Sequence, residues 1–273
     1  MLPRFAGFLI SAIVYSTMLS AQLTGQAPAG QGSPEAATKL QNSLAMVAGK
    51  LPVTDVTLTG IAERISGSDD ETGRVTLKAL VTGEESTDLS FPSGAYREVR
   101  FGSGSRREGH WSGPDGAWHS IPEHRLKADG AWFSPALLLS QLLADRTKAF
   151  QDFGAVVVEG QPLEHIRVHD GNPKVPDKAP SQVAQLMQHL TEMDLYLDPH
   201  SSLPLRLAFN EHPDTDASRD VPVEIRFSDY RTVNGTQVPF RLQKLINGTL
   251  VLDLRVELAT LNSNLLASTF ALQ

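Results

Sequence analysis

The 273-residue chain contains no cysteine. Disulfides, thiolate zinc centres, thiol nucleophiles and iron–sulfur clusters are therefore excluded, and the fold must be held together by its core. Basic residues are the minority charge, 24 against 31 acidic, for a net charge of −7. Such a balance repels phosphate backbones, so nucleic acid is not an expected partner. No apolar run reaches the roughly 20 residues that a membrane-spanning helix needs. G-x-S-x-G, H-E-x-x-H, Walker and dinucleotide fingerprints are also missing. The expectation is a protein that is not an enzyme and uses no cofactor or metal, although a hydrolase with dispersed catalytic residues would leave no such mark.

What is present begins with an export signal. Arg4 supplies a positive start, Phe5 to Leu19 are mostly apolar, and small residues follow at Ser20-Ala21 and again at Ala27 and Ala29. This pattern predicts a signal peptide over 1–21, with a second candidate cut at 29, and a periplasmic or secreted product. No cysteine follows the apolar run, which rules out a bacterial lipid-anchored start. Residues 22–32, rich in Gln, Gly, Ala and Pro, read as a flexible tether. From 33 to 273 no linker divides the chain and no fixed-period repeat occurs, so a single domain is expected.

That domain opens with a helix over 34–48. Ser33 can cap it, Pro34 suits its first position, and Ala37, Leu40, Leu44 and Val47 form one apolar stripe before Gly49. From Pro52 the period changes to two. Val56 and Leu58, then Val75, Leu77, Ala79 and Val81, alternate with polar residues around a turn at 66–72, and Val99 and Phe101 end a third strand. A solvated turn is expected at 102–109. Ser134-Pro135 starts a leucine-rich helix over 135–148, and a third helix is expected at 181–190. Val156 to Val158 and Ile166 with Val168 suggest a hairpin that turns at 159–162.

The C-terminal third alternates most regularly. Met193, Leu195 and Leu197, then Leu203, Leu205, Leu207 and Phe209, then Val223, Ile225 and Phe227, precede two further runs that follow Asn234-Gly235 and Asn247-Gly248. Asn-Gly between alternating runs is a strong hairpin signal, and a five-strand meander with one wet and one covered face follows.

The stretch Phe227-Ser-Asp-Tyr230-Arg-Thr-Val-Asn234-Gly235-Thr-Gln-Val-Pro239-Phe240, closing on Asn247-Gly248 and a last alternating strand, resembles the ends of the bacterial lipoprotein-carrier-like (LolA/LolB-like) proteins. The motif covers about 25 residues, and the order of elements is similar over most of the chain. The resemblance implies an α+β fold: one curved antiparallel sheet, an incomplete barrel, with helices covering its concave apolar face. It also implies an envelope protein that holds a hydrophobic small molecule or lipid acyl chain between sheet and helical lid. Leu138, Leu142 and Met187 would then face Val99, Leu195, Leu207, Phe227 and Leu254 across that cavity. A filled core is equally compatible with the pattern, because sheet and helices ordinarily pack to crystal-like density. The chain would then be a scaffold that binds another envelope protein.

The remaining polar clusters have structural readings. His165 and His169 share a strand face, but Arg167 stands between them and would repel a dication. His110, His119 and His124 lie near Trp111 and Trp118, which are expected to form a cross-strand aromatic pair on a hairpin. The loop Asp214-Thr-Asp216-Ala-Ser218-Arg-Asp220 lacks the Gly and Glu of a calcium loop and reads as solvated.

Overall fold

Period-two alternation over most of the chain produces one antiparallel sheet. In a computed structural model the described residues are 32–102, 107–126, 131–173, 175 and 180–272. The expected signal, nearly all of the tether and half of the 102–109 turn lie outside them. Thirteen strands are described: β1 (Asp55–Arg64), β2 (Glu71–Leu80), β3 (Glu85–Phe91), β4 (Gly94–Phe101), β5 (Glu108–Ser112), β6 (Trp118–Ser120), β7 (Lys148–Val158), β8 (Gln161–Asp170), β9 (Met193–Leu197), β10 (Pro204–Glu211), β11 (Val221–Val233), β12 (Thr236–Ile246) and β13 (Thr249–Leu261). Their spatial order is β6-β5-β4-β3-β2-β1-β13-β12-β11-β10-β9-β8-β7. Two meanders thus lie side by side, joined where the first strand pairs with the last. The sheet is open, with β6 and β7 at its edges.

Three two-residue turns set the register of the second meander. Glu159-Gly160, Asn234-Gly235 and Asn247-Gly248 have both residues at positive φ, the conformation whose twist matches flanking strands. Strand β3 was not legible as alternation. Its inner-facing positions, paired through β2 with Ala79, Leu77 and Val75, are Glu85, Thr87 and Leu89, so only Leu89 and Phe91 mark it as apolar.

Helix α1 (Pro34–Ala48) forms as its sequence predicts. The Ser33 side chain accepts from Ala36 N at 3.3 Å, Pro34 occupies the first turn, and Gly49 ends it at φ 69°. Both ends are tied to the second meander. Ser33 N donates to Phe150 O on β7 at 2.7 Å, and Thr236 Oγ1 donates to Ala48 O at 3.2 Å beside the β11–β12 turn. In between, Lys39 bridges Asp152 of β7 (2.8 Å) and Glu164 of β8 (2.6 Å). About 22 Å of helix therefore spans the sheet from its β7 edge to the β11–β12 hairpin.

Helix α2 (Pro135–Ala144) packs against α1 and β12. It is shorter than the expected 135–148. Asp145 caps the turn that follows by accepting from Thr147 N at 2.9 Å, and Lys148 already belongs to β7. Helix α3 (Ser181–His189) departs from expectation in position. It has no buried residue and packs on β8, where Gln188 reaches His169, a residue on the face opposite Ile166 and Val168. Of the described helices, only α1 and α2 contribute to the main core.

Candidate functional site

The candidate site is the sheet face beneath α1 and α2. Ala36, Leu40 and Val47 of α1 and Leu137, Leu138, Leu139 and Leu142 of α2 join the inner residues of β1, β2 and β8 to β13 in one buried cluster. Six residues expected to line a cavity meet in it: Leu138, Leu142, Leu195, Leu207, Phe227 and Leu254. Phe133, fully buried just before α2, is a residue sequence reasoning did not single out. Its ring wedges between α2 and the sheet beside Val56, Leu58, Val238 and Leu261, where about 10 Å³ of space remains, room for a single water at most. The interior under α2 is filled with side chains at this point.

Val99 and Met187 lie elsewhere. Val99 is fully buried, but with Leu80 and Phe270 in a separate cluster to which Phe101, Trp118 and Leu265 add partial cover. The cause is strand parity. Glu85 pairs with Ala79 and with Arg100, which puts Arg100 on the inner face and its neighbour Val99 on the outer one, under the C-terminal segment. Apolar residues mark both faces at this end of the sheet, so alternation alone could not assign the side. Met187 is half-buried on α3, outside the main cluster, because α3 does not cover that core.

The attachment of α2 is apolar. Its ten residues carry no charge, and Gln141 Nε2 to Leu80 O, at 3.1 Å, is its one side-chain hydrogen bond to the sheet among the described residues. α1 instead has a polar clamp. Burial alone would lower the Lys39 pKa, but its bonds to Asp152 and Glu164 outweigh that and raise it, and the same pairing holds Asp152 low. Tyr230, from the segment that carried the family resemblance, donates to Pro204 O at 2.6 Å, and burial pushes its pKa up. Its role is to tie β11 to the β9–β10 turn.

His165, His110 and His119 have aromatic partners. His165 stacks between Phe153 and Tyr196 with centroids 4.7 and 4.6 Å away, and donates to Asp194 at 2.7 Å. Arg167 takes the same carboxylate through two bonds of 2.9 and 3.1 Å. Burial would raise the Asp194 pKa, yet these partners hold it below the ordinary value. His110 stacks on Phe101 and His119 on Trp111. The two tryptophans do not pair: Trp111 faces His119 and Trp118 faces Ser112, because five residues separate the strands. Trp118 instead lies beneath Arg97 and lines an outer-face cleft of about 390 Å³ with Asp88 and Ser112. In the 214–220 loop, Asp216 accepts from Ser218 as a solvated turn would, whereas Asp220 meets His189 and His212, a grouping invisible to local spacing.

No family model matches the chain, and no curated protein matches it in sequence. Solved structures do. A domain from Vibrio parahaemolyticus named for outer membrane lipoprotein sorting superposes with a TM-score of 0.54 at 13% identity, over 86% of this chain and 96% of that one. A DUF1329 family protein from Desulfovibrio piger gives 0.52 at 10% identity, and a LolA superfamily protein from Nitrosomonas europaea gives 0.52 at 11%. Each covers 86% of this chain and 97% of its own. The chain therefore has a LolA-like fold.

Proposed function

We propose that this LolA-like chain is a non-enzymatic envelope protein, exported by its N-terminal signal, that binds an apolar chain such as a lipid acyl group between its sheet and α2. One observation carries the reading: α2 is an uncharged helix held over an apolar sheet face by contacts that hydrocarbon could replace at little cost, whereas α1 is clamped by ions. The lipoprotein-sorting name of the Vibrio neighbour fits it. In this reading the structure is the closed, ligand-free state, and α2 swings out to admit ligand.

A second reading, a scaffold with a permanently filled interior that binds another envelope protein, is favoured by the near absence of space beside Phe133. Hydrogen exchange and ligand titration separate the two. Under the lid reading, amides of α2 exchange faster than those of β12, and cis-parinaric acid binds at one per chain and slows that exchange. Exchange in α2 as slow as in β12, with no uptake of the probe, would leave the scaffold. Sequencing the N-terminus of protein from the envelope fraction tests export, with a start after residue 21 or 29 expected.

A further inference from the structure

At the end of the sheet where α3 and the β10–β11 connection meet, three imidazoles and a carboxylate converge from distant parts of the sequence. One ring nitrogen each of His189 and His212 and one oxygen of Asp220 lie within 4.8 Å of one another. His189 Nε2 is 2.8 Å from Asp220 Oδ1, and the His212 ring stands edge-on to the His189 ring with centroids 5.8 Å apart. His124, from the 3-10 turn Glu123–Leu126, places its ring edge-on to His212 with centroids 6.4 Å apart. We propose that His189, His212 and Asp220 form a zinc-binding site.

Three observations support it. The first is the state of His212, whose side chain is 1% exposed. Its Nδ1 lies 3.1 Å from the carbonyl oxygen of Arg219, which can only accept, so the ring proton sits on Nδ1. Nε2 is then a bare lone pair, and among the described residues it has no hydrogen-bond partner. A buried acceptor without a partner is destabilising, and a backbone carbonyl bonded to the far nitrogen is the usual support of a metal-bound imidazole. The second is the donor set. Two imidazoles and one carboxylate suit zinc, with a fourth position left for water or His124; tetrahedral bonds near 2.0–2.1 Å set donors about 3.3 Å apart, so His189 Nε2 and Asp220 Oδ1 would part slightly from 2.8 Å. Arg125, next to His124, is already paired with Asp214 at 3.0 Å.

The third is the weak footing of α3. A nine-residue helix is too short to persist alone, and this one has no buried residue. His189 sits at its last turn, so a metal joining it to His212 and Asp220 would staple the helix to the sheet end. This differs from the His165 site, where Arg167 takes the Asp194 carboxylate that His165 also meets.

The test is equilibrium titration of zinc chloride into chelator-stripped, tag-free protein, with the melting temperature followed in parallel. One zinc should bind per chain, raise the melting temperature, and do so reversibly with a chelator. His189→Ala and Asp220→Asn, both at partly exposed positions and so expected to fold, should each weaken binding at least tenfold, while His165→Ala should leave it unchanged. Cobalt in place of zinc should give the visible absorption of a four- or five-coordinate nitrogen and oxygen site, lost in His212→Ala. No binding at 100 micromolar zinc, or binding that survives both the His189 and the Asp220 substitutions, would overturn the proposal.

Discussion

Replacing Phe133 by Ala tests both the packing and the lid. The ring is fully buried at the entry to α2, against Val56 and Leu58 of β1, Val238 of β12 and Leu261 of β13. Removing a buried phenyl group costs about 3–5 kcal/mol, as lost transfer energy plus a cavity its neighbours fill only in part. Against a total stability of about 5–15 kcal/mol, the variant should still fold. The present 10 Å³ space would grow by a benzene-sized volume with apolar walls, and such cavities stay dry and take up apolar molecules. Decanoate at a hundred times its dissociation constant would then return about 2.7 kcal/mol. Urea denaturation followed by circular dichroism, with and without decanoate, measures both terms. Val99→Ala is the control: it thins the outer cluster and should gain nothing from the ligand beyond the wild-type gain. A loss under about 1 kcal/mol in the Phe133 variant, or equal rescue of the Val99 variant, would refute the placement of these two residues on opposite faces.

Three other outcomes are expected. Because the Asp194 pKa is depressed in the fold, its pairing with Arg167 and His165 contributes stability above the unfolded carboxylate value near 3.8 and loses it as pH falls through the folded value. Acid titration of wild type and Asp194→Asn should therefore converge as pH falls, and a stability difference that does not shrink at all below the unfolded carboxylate value would contradict this. Asp55 accepts from Ser263 N, Ser263 Oγ and Asn264 N, so Asp55→Ala should cost about 1–3 kcal/mol and open the segment after β13 to limited proteolysis. Gly60 sits at a bulge between β1 and β13, where a Cβ would come within 2.0 Å of Arg255 O. Gly60→Ala should push the two meanders apart, costing about 1–3 kcal/mol in a thermal melt, with hydrogen exchange faster in β13 than in β11.

Much of this architecture is local. A two-residue turn with both φ angles positive is nearly obligatory for Asn-Gly between alternating runs, so β11, β12 and β13 follow from the residues at 234–235 and 247–248. Ser33, Pro34 and Gly49 bound α1 for an equally local reason: Ser33 and Gly49 make capping bonds, and Pro34 lacks an N–H that would go unpaired. The leucines of α2 and the inner residues of β9, β10, β11 and β13 were legible as a core because period and polarity agree. That Arg167 shares a strand face with His165 could also be read from one strand.

Tertiary structure alone decided the rest. Which face Val99 occupies depends on a register with β3, a strand too polar to announce itself, and on a C-terminal segment some 170 residues away that covers the outer side. Whether the sheet and α2 enclose space depends on how one ring, Phe133, fits between them, and volume complementarity has no period in sequence. The gathering of His189, His212 and Asp220 depends on where α3 lands. With no apolar stripe buried, its position is set by polar contacts between distant segments, which spacing along the chain does not encode.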